Sequence, residues 1–565
     1  MRFITNVYRL TPLLLVAILS ACGSSSTQDN TSVSTNSISF SSASPDAPTP
    51  PAQTFTATVS AGAVYVAILH NGTAIANTSY TLTGTTAQIV VTPASPSSLG
   101  AGIFTGAVTV TAYNCGDPAC SVLTPGKSQI VTVTYQIPPI VRFVAPYVAT
   151  TTTAGTVVIR GQGFQKFSVT GVNFGSTPAT SFTVISDTEI LASYPALAAG
   201  SYPVQIQAPS SPGTIISQAS VVAVNAQNYV TTTLAYPSAA PQVKKLVYDA
   251  ERQALFVAVD TATGGEILRY PFSSGSWGPV VTASINTLSD IVLSTDGQHL
   301  LALSQTALYQ LTPDSTLAID TTTPAPTFAT VGAYLTTLAV GNDGNAVVTT
   351  GYAGSTSTAL YAYSACNPVY TTCIPAFFQP VTTPALDNST AIGSMDGSLI
   401  TIMQGDATLT SAPSVYQYLA VADIFFATSA ALNQNAIAAS LSVYTPPDST
   451  TSTTRIVLSG TNASHVAVTN VYDASYALFG TLPSTTLAVV VKPDASRAYT
   501  LDSNGPAVLS FDLTTSQAGG PMPQVGSGIT LTNSPGSGVK MAISPDGGTL
   551  FLAGDTQIVV LPSPP

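Results

Sequence analysis

Seven aspartates, each closing a short run of mostly apolar residues, recur at nearly even intervals through the last 340 or so residues. No other feature restricts the fold as much. They are Asp249 (Leu246-Val-Tyr-Asp), Asp296 (Val292-Leu-Ser-Thr-Asp-Gly), Asp343 (Leu338-Ala-Val-Gly-Asn-Asp-Gly), Asp396 (Ser394-Met-Asp-Gly), Asp448 (Thr445-Pro-Pro-Asp), Asp494 (Val491-Lys-Pro-Asp) and Asp546 (Ile543-Ser-Pro-Asp-Gly). Successive steps are 47, 47, 53, 52, 46 and 52 residues. Such an aspartate accepts a hydrogen bond from a backbone N–H two residues on, and the following glycine turns the chain. A repeat of this length holds four short strands, the unit of a β-propeller. Seven blades are expected. Six or eight stay open, because Asp448 sits in a Ser/Thr-rich stretch whose inner strand is uncertain. After Asp546 only Thr549–Ala553 and Gln557–Leu561 are strand-like, so the last blade is one strand short. The unassigned segment Tyr229–Tyr236 is expected to supply that strand and join the first blade to the last.

Composition agrees with an all-β chain. Only 7 % of the 565 residues are charged, against 45 % hydrophobic, and Glu189, Glu251 and Glu266 are the only glutamates. Lysine is equally rare, at six. Helix surfaces use Glu and Lys, whereas Asp, Gly, Pro, Ser and Thr favour turns and Val and Thr favour strands. A helical bundle is excluded. The net charge of −11 argues against nucleic acid and anionic lipid surfaces as partners.

Arg2 and Arg9 precede an apolar run from Leu10 to Leu19, too short to span a bilayer and suited to a signal-peptide core. Leu19-Ser20-Ala21-Cys22 then resembles the lipobox of bacterial lipoproteins. The resemblance implies cleavage before Cys22, lipid attachment at Cys22 and a cell-envelope location. With Gly23 rather than aspartate next, it implies the outer membrane in a diderm cell. Four cysteines remain. Cys115 with Cys120 and Cys366 with Cys373 each bracket a proline-containing turn, and in an exported chain these read as two local disulfides.

Residues 1–21 are thus expected to be the signal peptide and 22–36 a Ser/Thr-rich flexible tether. Residues 37–137 carry apolar-alternating runs (Thr54–Val59, Val64–Leu69, Ala87–Val91, Ala107–Ala112, Ile130–Tyr135) and read as an antiparallel sandwich of immunoglobulin size. Its second half resembles Ig-like modules of bacterial envelope proteins. Between 138 and 225, Phe143-Val-Ala-Pro, Gly155-Thr-Val-Val-Ile-Arg-Gly-Gln-Gly-Phe164, Val172-Asn-Phe-Gly, Ser186-Asp-Thr-Glu-Ile and Gly200-Ser-Tyr-Pro-Val resemble, in order, the landmarks of the IPT/TIG domain. That resemblance implies an Ig-like fold serving as spacer or interaction module, with no catalytic residues. Residues 226–565 hold the propeller. Met541-Ala-Ile-Ser-Pro-Asp-Gly-Gly-Thr-Leu-Phe-Leu-Ala553 resembles blades of bacterial YVTN-type and related seven-bladed propellers. The expected fold is all-β: two Ig-like β-sandwiches, then a propeller.

Motifs for chemistry are absent from the sequence. The histidines, His70, His299 and His465, have no ligand spacing, and neither G-x-S-x-G nor a calcium loop occurs. No cofactor or metal is expected. Trp277, the only tryptophan, is the candidate ligand contact, with Phe377, Phe378, Tyr416 and Tyr418 as further aromatics. The leading expectation is a non-enzymatic envelope lipoprotein whose propeller binds a neutral or weakly basic protein or glycan. The alternative is a hydrolase, lactonase or quinoprotein-like enzyme, which would gather Lys244, Arg252, Arg269, His299, Arg455, Arg497 or the turn aspartates on the propeller axis.

Overall fold

The computed structural model describes residues 31–565 apart from short stretches, the longest being 353–360, 365–377, 381–388, 405–413 and 443–453. Cys22 and the expected signal peptide lie outside the described residues, as do Cys366, Cys373, Phe377 and Asp448. The chain is about 60 % strand and 1 % helix. It divides into two compact units, Met1–Ile140 and Val141–Pro565.

The first unit is a sandwich. One sheet orders Ser32–Val33, Gln53–Thr58, Thr86–Pro93 and Ile75–Thr83; the other orders Ser37–Ser41, Gln129–Ile137, Gly102–Cys115 and Tyr65–Gly72. Alternation along these strands sends Phe40, Phe55, Ile89, Val108, Val110, Val131, Val133 and Tyr135 into one core. Two expectations need correction. The sandwich is not antiparallel throughout, since Ser37–Ser41 runs parallel to Gln129–Ile137. Parallel pairing needs a long connection, and the first and last strands of a sandwich have one. The tether also ends early: Ser32 and Val33 pair with Thr58 and Ala57, and Thr31 is buried. An edge strand of two residues is held by backbone hydrogen bonds, which composition does not register. Cys115 closes its strand and is disulfide-bonded to Cys120, with Cα atoms 4.6 Å apart.

The second unit opens with another two-sheet sandwich. Ile140–Ala145, Gly155–Gln162, Glu189–Tyr194 and Ser181–Ser186 form one sheet; Val148–Thr150, Gly213–Val224, Gly200–Ala208, Gly171–Phe174 and Thr177–Pro178 form the other. Val157 and Ile159 point inward from their strand, and Phe164 fills the core after Gly163 turns the backbone at φ +87°.

A propeller follows, with seven blades among the described residues, six of four strands and the first of five, its fifth being the two-residue strand Ser276–Trp277. Their innermost strands are Gln242–Asp249, Leu288–Leu293, Tyr334–Val340, Ser389–Gly393, Ala438–Leu441, Thr486–Val491 and Lys540–Ile543. Each lies beside the next, and the last lies beside the first, so the ring is closed. Ala438–Leu441 is the inner strand that was uncertain from sequence, and it fixes the blade number at seven. Side chains tie neighbouring inner strands together. Asp290 Oδ2 accepts from Leu338 N at 2.9 Å, Thr337 Oγ1 from Ala391 N at 2.8 Å, and Ser440 Oγ from Val491 N at 2.9 Å.

The seventh blade is completed from the other end of the domain. Thr232–Leu234 pairs antiparallel with Ile558–Val560. The closing strand is shorter than the segment expected, because Tyr229 leaves the ladder and enters the core between first and last blades. Its ring lies 4.6 Å from Phe272, 5.4 Å from Trp277 and 5.8 Å from Phe551, and its hydroxyl meets that of Tyr248 at 2.7 Å.

Candidate functional site: the two ends of the propeller ring

The repeated aspartates mark one end of the ring. Asp296, Asp343, Asp494 and Asp546 each accept at Oδ1 from the N–H two residues on, at 3.0–3.1 Å, between the first and second strands of their blades. They are turn formers. Neighbouring turns are also joined: Arg252 Nη1 donates to Gly297 O at 2.9 Å, and Asn342 N donates to Gly397 O at 2.8 Å.

This end carries the second sandwich. Arg160, buried on strand Gly155–Gln162, pairs with its cross-strand neighbour Glu189 at 2.7 Å. Its Nε and Nη2 donate to Oδ1 of the fully buried Asn342 at 3.2 and 3.1 Å. Asn342 Nδ2 donates onward to Ser398 Oγ at 2.8 Å. Tyr147 lies over Gly297 and Phe143 over Gly344, both glycines having positive φ (+69° and +86°). A Cβ at Gly297 would stand 2.2 Å from Tyr147 Cζ, so the ring sits where only glycine leaves room. All of these contacts fall on first-to-second-strand turns. The boundary near residue 225 therefore separates two folds that pack as one body.

The expected site residues disperse. Arg252 is held by Asp249 Oδ2 at 3.0 Å and by the Gly297 carbonyl. Arg269 and His299 are buried near it, and burial lowers the proton affinity of both. His299 has no hydrogen-bond partner on either ring nitrogen and lies 3.9 Å from Asp320. These three side chains share the turn end of blades 1 and 2, where Tyr147 also packs. Arg455 is elsewhere, stacked 3.8 Å over Phe479 and donating to the Leu513 and Thr454 carbonyls; Arg497 pairs with Asp512 at 3.2 Å. Among these cationic candidates only Lys244 is on an inner strand. The aromatics are used in packing: Trp277 stacks on Tyr229 in the closure cluster, and Tyr416 and Tyr418 are buried. Among the described residues no group of three His, Cys, Asp or Glu could hold a metal.

His299 gives a pH test. Burial is the leading cause of its lowered pKa, so between that pKa and about 6.5 the unfolded chain binds more protons than the folded one. Its contribution to stability is complete at neutral pH and is lost as pH falls through that window. The melting temperature is expected to drop less between about pH 7 and pH 5 in His299→Gln than in the parent, as thermal scans at both pH values would measure.

At the other end, where the inner strands begin, Lys245 lies 3.5 Å from Asp290, Lys244 lies 3.7 Å from Asp260, and Lys540 starts the neighbouring inner strand. Sequence reasoning passed over Lys245 and Lys540. One signal was present: Lys540, Asp290 and Thr337 each stand six residues before their blade's turn aspartate.

Residues 138–223 match the IPT/TIG domain family. No curated protein matches the chain significantly. Similar solved structures include the hydrazine synthase of Kuenenia stuttgartiensis, at 11 % identity and TM-score 0.41, covering 59 % of this chain and 98 % of that one. The WD40 repeats of RRP9 show 10 % identity and TM-score 0.42, with coverages of 60 % and 98 %. The β-propeller domain of Cps50 (Swd1) from Myceliophteria thermophila shows 8 % identity and TM-score 0.39, with coverages of 59 % and 98 %. The class is defined by the chain's own architecture: an all-β protein with an IPT/TIG domain packed on a seven-bladed propeller.

Proposed function

We propose that this chain is a cell-envelope lipoprotein, anchored through Cys22, whose propeller binds a protein or glycan partner and performs no chemistry. One observation carries the binding half of this reading. Arg252, Arg455 and Arg497 are held in turns and blade seams, while the inner strands carry the half-buried hydroxyls of Ser289, Thr336 and Thr390 among apolar residues. Hydroxyls and small apolar groups recognise ground states through many weak contacts and need no perturbed pKa. The IPT/TIG domain occupies the turn end, which directs a partner to the opposite end. The anchoring half rests on Leu19-Ser20-Ala21-Cys22 and the short apolar core before it.

Two measurements test the reading. Cys22→Ala is expected to abolish labelling by a fatty-acid probe and release the chain from the membrane fraction; undiminished labelling contradicts the anchor. The immobilised full chain, probed with a panel of defined envelope glycans and purified envelope proteins, is expected to retain at least one saturably. Retention of none contradicts the binding reading.

A further inference from the structure

Three of the chain's six lysines meet where the inner strands of blades 1 and 7 begin. These two strands are neighbours in the closed ring. In a chain with six lysines and a net charge of −11, such a gathering is a local concentration of ammonium groups. The nearby acids offset it only in part: two carboxylates, Asp290 at 3.5 Å from Lys245 and Asp260 at 3.7 Å from Lys244, face three ammonium groups. Asp290 is buried, and its two oxygens already accept from Ile291 N and Leu338 N at 2.9 Å. The Lys244 ammonium also donates to Gln242 Oε1 at 2.6 Å. Lys540 has no ion-pair partner among the described residues, and Lys245 remains 42 % exposed. We propose that this end of the ring binds an oxyanion, a carboxylate or phosphate group of a small ligand, between Lys245 and Lys540 with Lys244 beside them.

The proposal rests on the binding reading above and narrows it. Lysine ammonium groups act on oxyanions as compact point charges that reorient on flexible stems, so the site tolerates either geometry. Burial first, then Lys245 and Lys244, hold the proton affinity of Lys540 down, and a bound anion would offset all three. The expectation of a neutral or weakly basic partner followed net charge. The fold instead brings three ammonium groups to the end of the ring opposite the turns on which Arg160, Tyr147 and Phe143 pack.

Six lysines make a direct test practicable. Reductive 13C-methylation of the full chain gives one resolvable signal per lysine, to be titrated with inorganic phosphate, with a trimeric hexuronate and with the matching uncharged trimer. The expected result is saturable movement of the Lys244, Lys245 and Lys540 signals with at least one anionic probe, while Lys127, Lys166 and Lys492 stay fixed. The double variant Lys245→Met/Lys540→Met, which keeps most of each apolar stem, is expected to bind that probe at least tenfold more weakly. Lys492→Met, at the turn end, is expected to leave it unchanged. Uniform movement of all six signals, or no movement with either anion, overturns the proposal. Equal retention of a glycan or protein by parent and double variant also overturns it while leaving the binding reading intact.

Discussion

Deleting residues 226–237 is expected to open the propeller ring. The loss should be several kcal/mol, of the order of the 5–15 kcal/mol that holds a domain folded. The deletion removes the strand Thr232–Leu234 that pairs with Ile558–Val560, so the last blade regains an unpaired edge. It also removes Tyr229, around which Phe272, Trp277 and Phe551 pack. Tyr229→Ala isolates the second effect. The ring is 3 % exposed, and truncating a large buried aromatic costs about 3–5 kcal/mol. Chemical denaturation should show both losses, with the deletion larger and accompanied by aggregation through the open edge. A deletion variant that stays monomeric with an unchanged midpoint would contradict closure by this segment.

Arg160→Met is expected to cost about 3–5 kcal/mol, because one cation satisfies two buried partners on different folds. Without it, Glu189 keeps a charge in a buried site and Asn342 loses the donor that joins it to the sandwich. Burial already pushes the Glu189 carboxyl above its usual range, with Arg160 pulling it down. Adding Glu189→Leu to Arg160→Met should recover a large part of the loss, since replacing both members of a buried pair by apolar groups is often near neutral. The seam with the propeller should stay weakened in the double variant. Limited proteolysis at the sandwich–propeller connection, near residues 226–241, would report that weakening. Unchanged protection in both variants would show that the apolar contacts of Tyr147 and Phe143 suffice.

The repeat was legible because Asp296, Asp343, Asp494 and Asp546 each cap the backbone of their blade's first turn, a local requirement that leaves a mark at near-even spacing. The closing strand could be read from a deficit of one strand in the last blade. The packing of the IPT/TIG domain could not be read. It depends on Arg160, which sits among the domain's own landmarks, and on Tyr147 finding Gly297, a contact between residues 150 positions apart. The lysine cluster escaped for a related reason. Lys244 and Lys540 are nearly 300 residues apart and meet only because the ring closes. The packing of Trp277 could not be read either, because its Ser/Gly-rich flank gives no sign that the half-buried ring stacks on Tyr229 beside the closure core.

Turnover by the purified full chain tests the central claim, that the propeller binds without catalysing. The assay is a panel of lactone, ester, glycoside and phosphoester substrates, run beside Arg252→Met, His299→Gln and the Lys245→Met/Lys540→Met variant. The account predicts rates at background for every substrate and no difference among the proteins. Turnover clearly above background, abolished by any of these substitutions in a variant that stays folded, would contradict it.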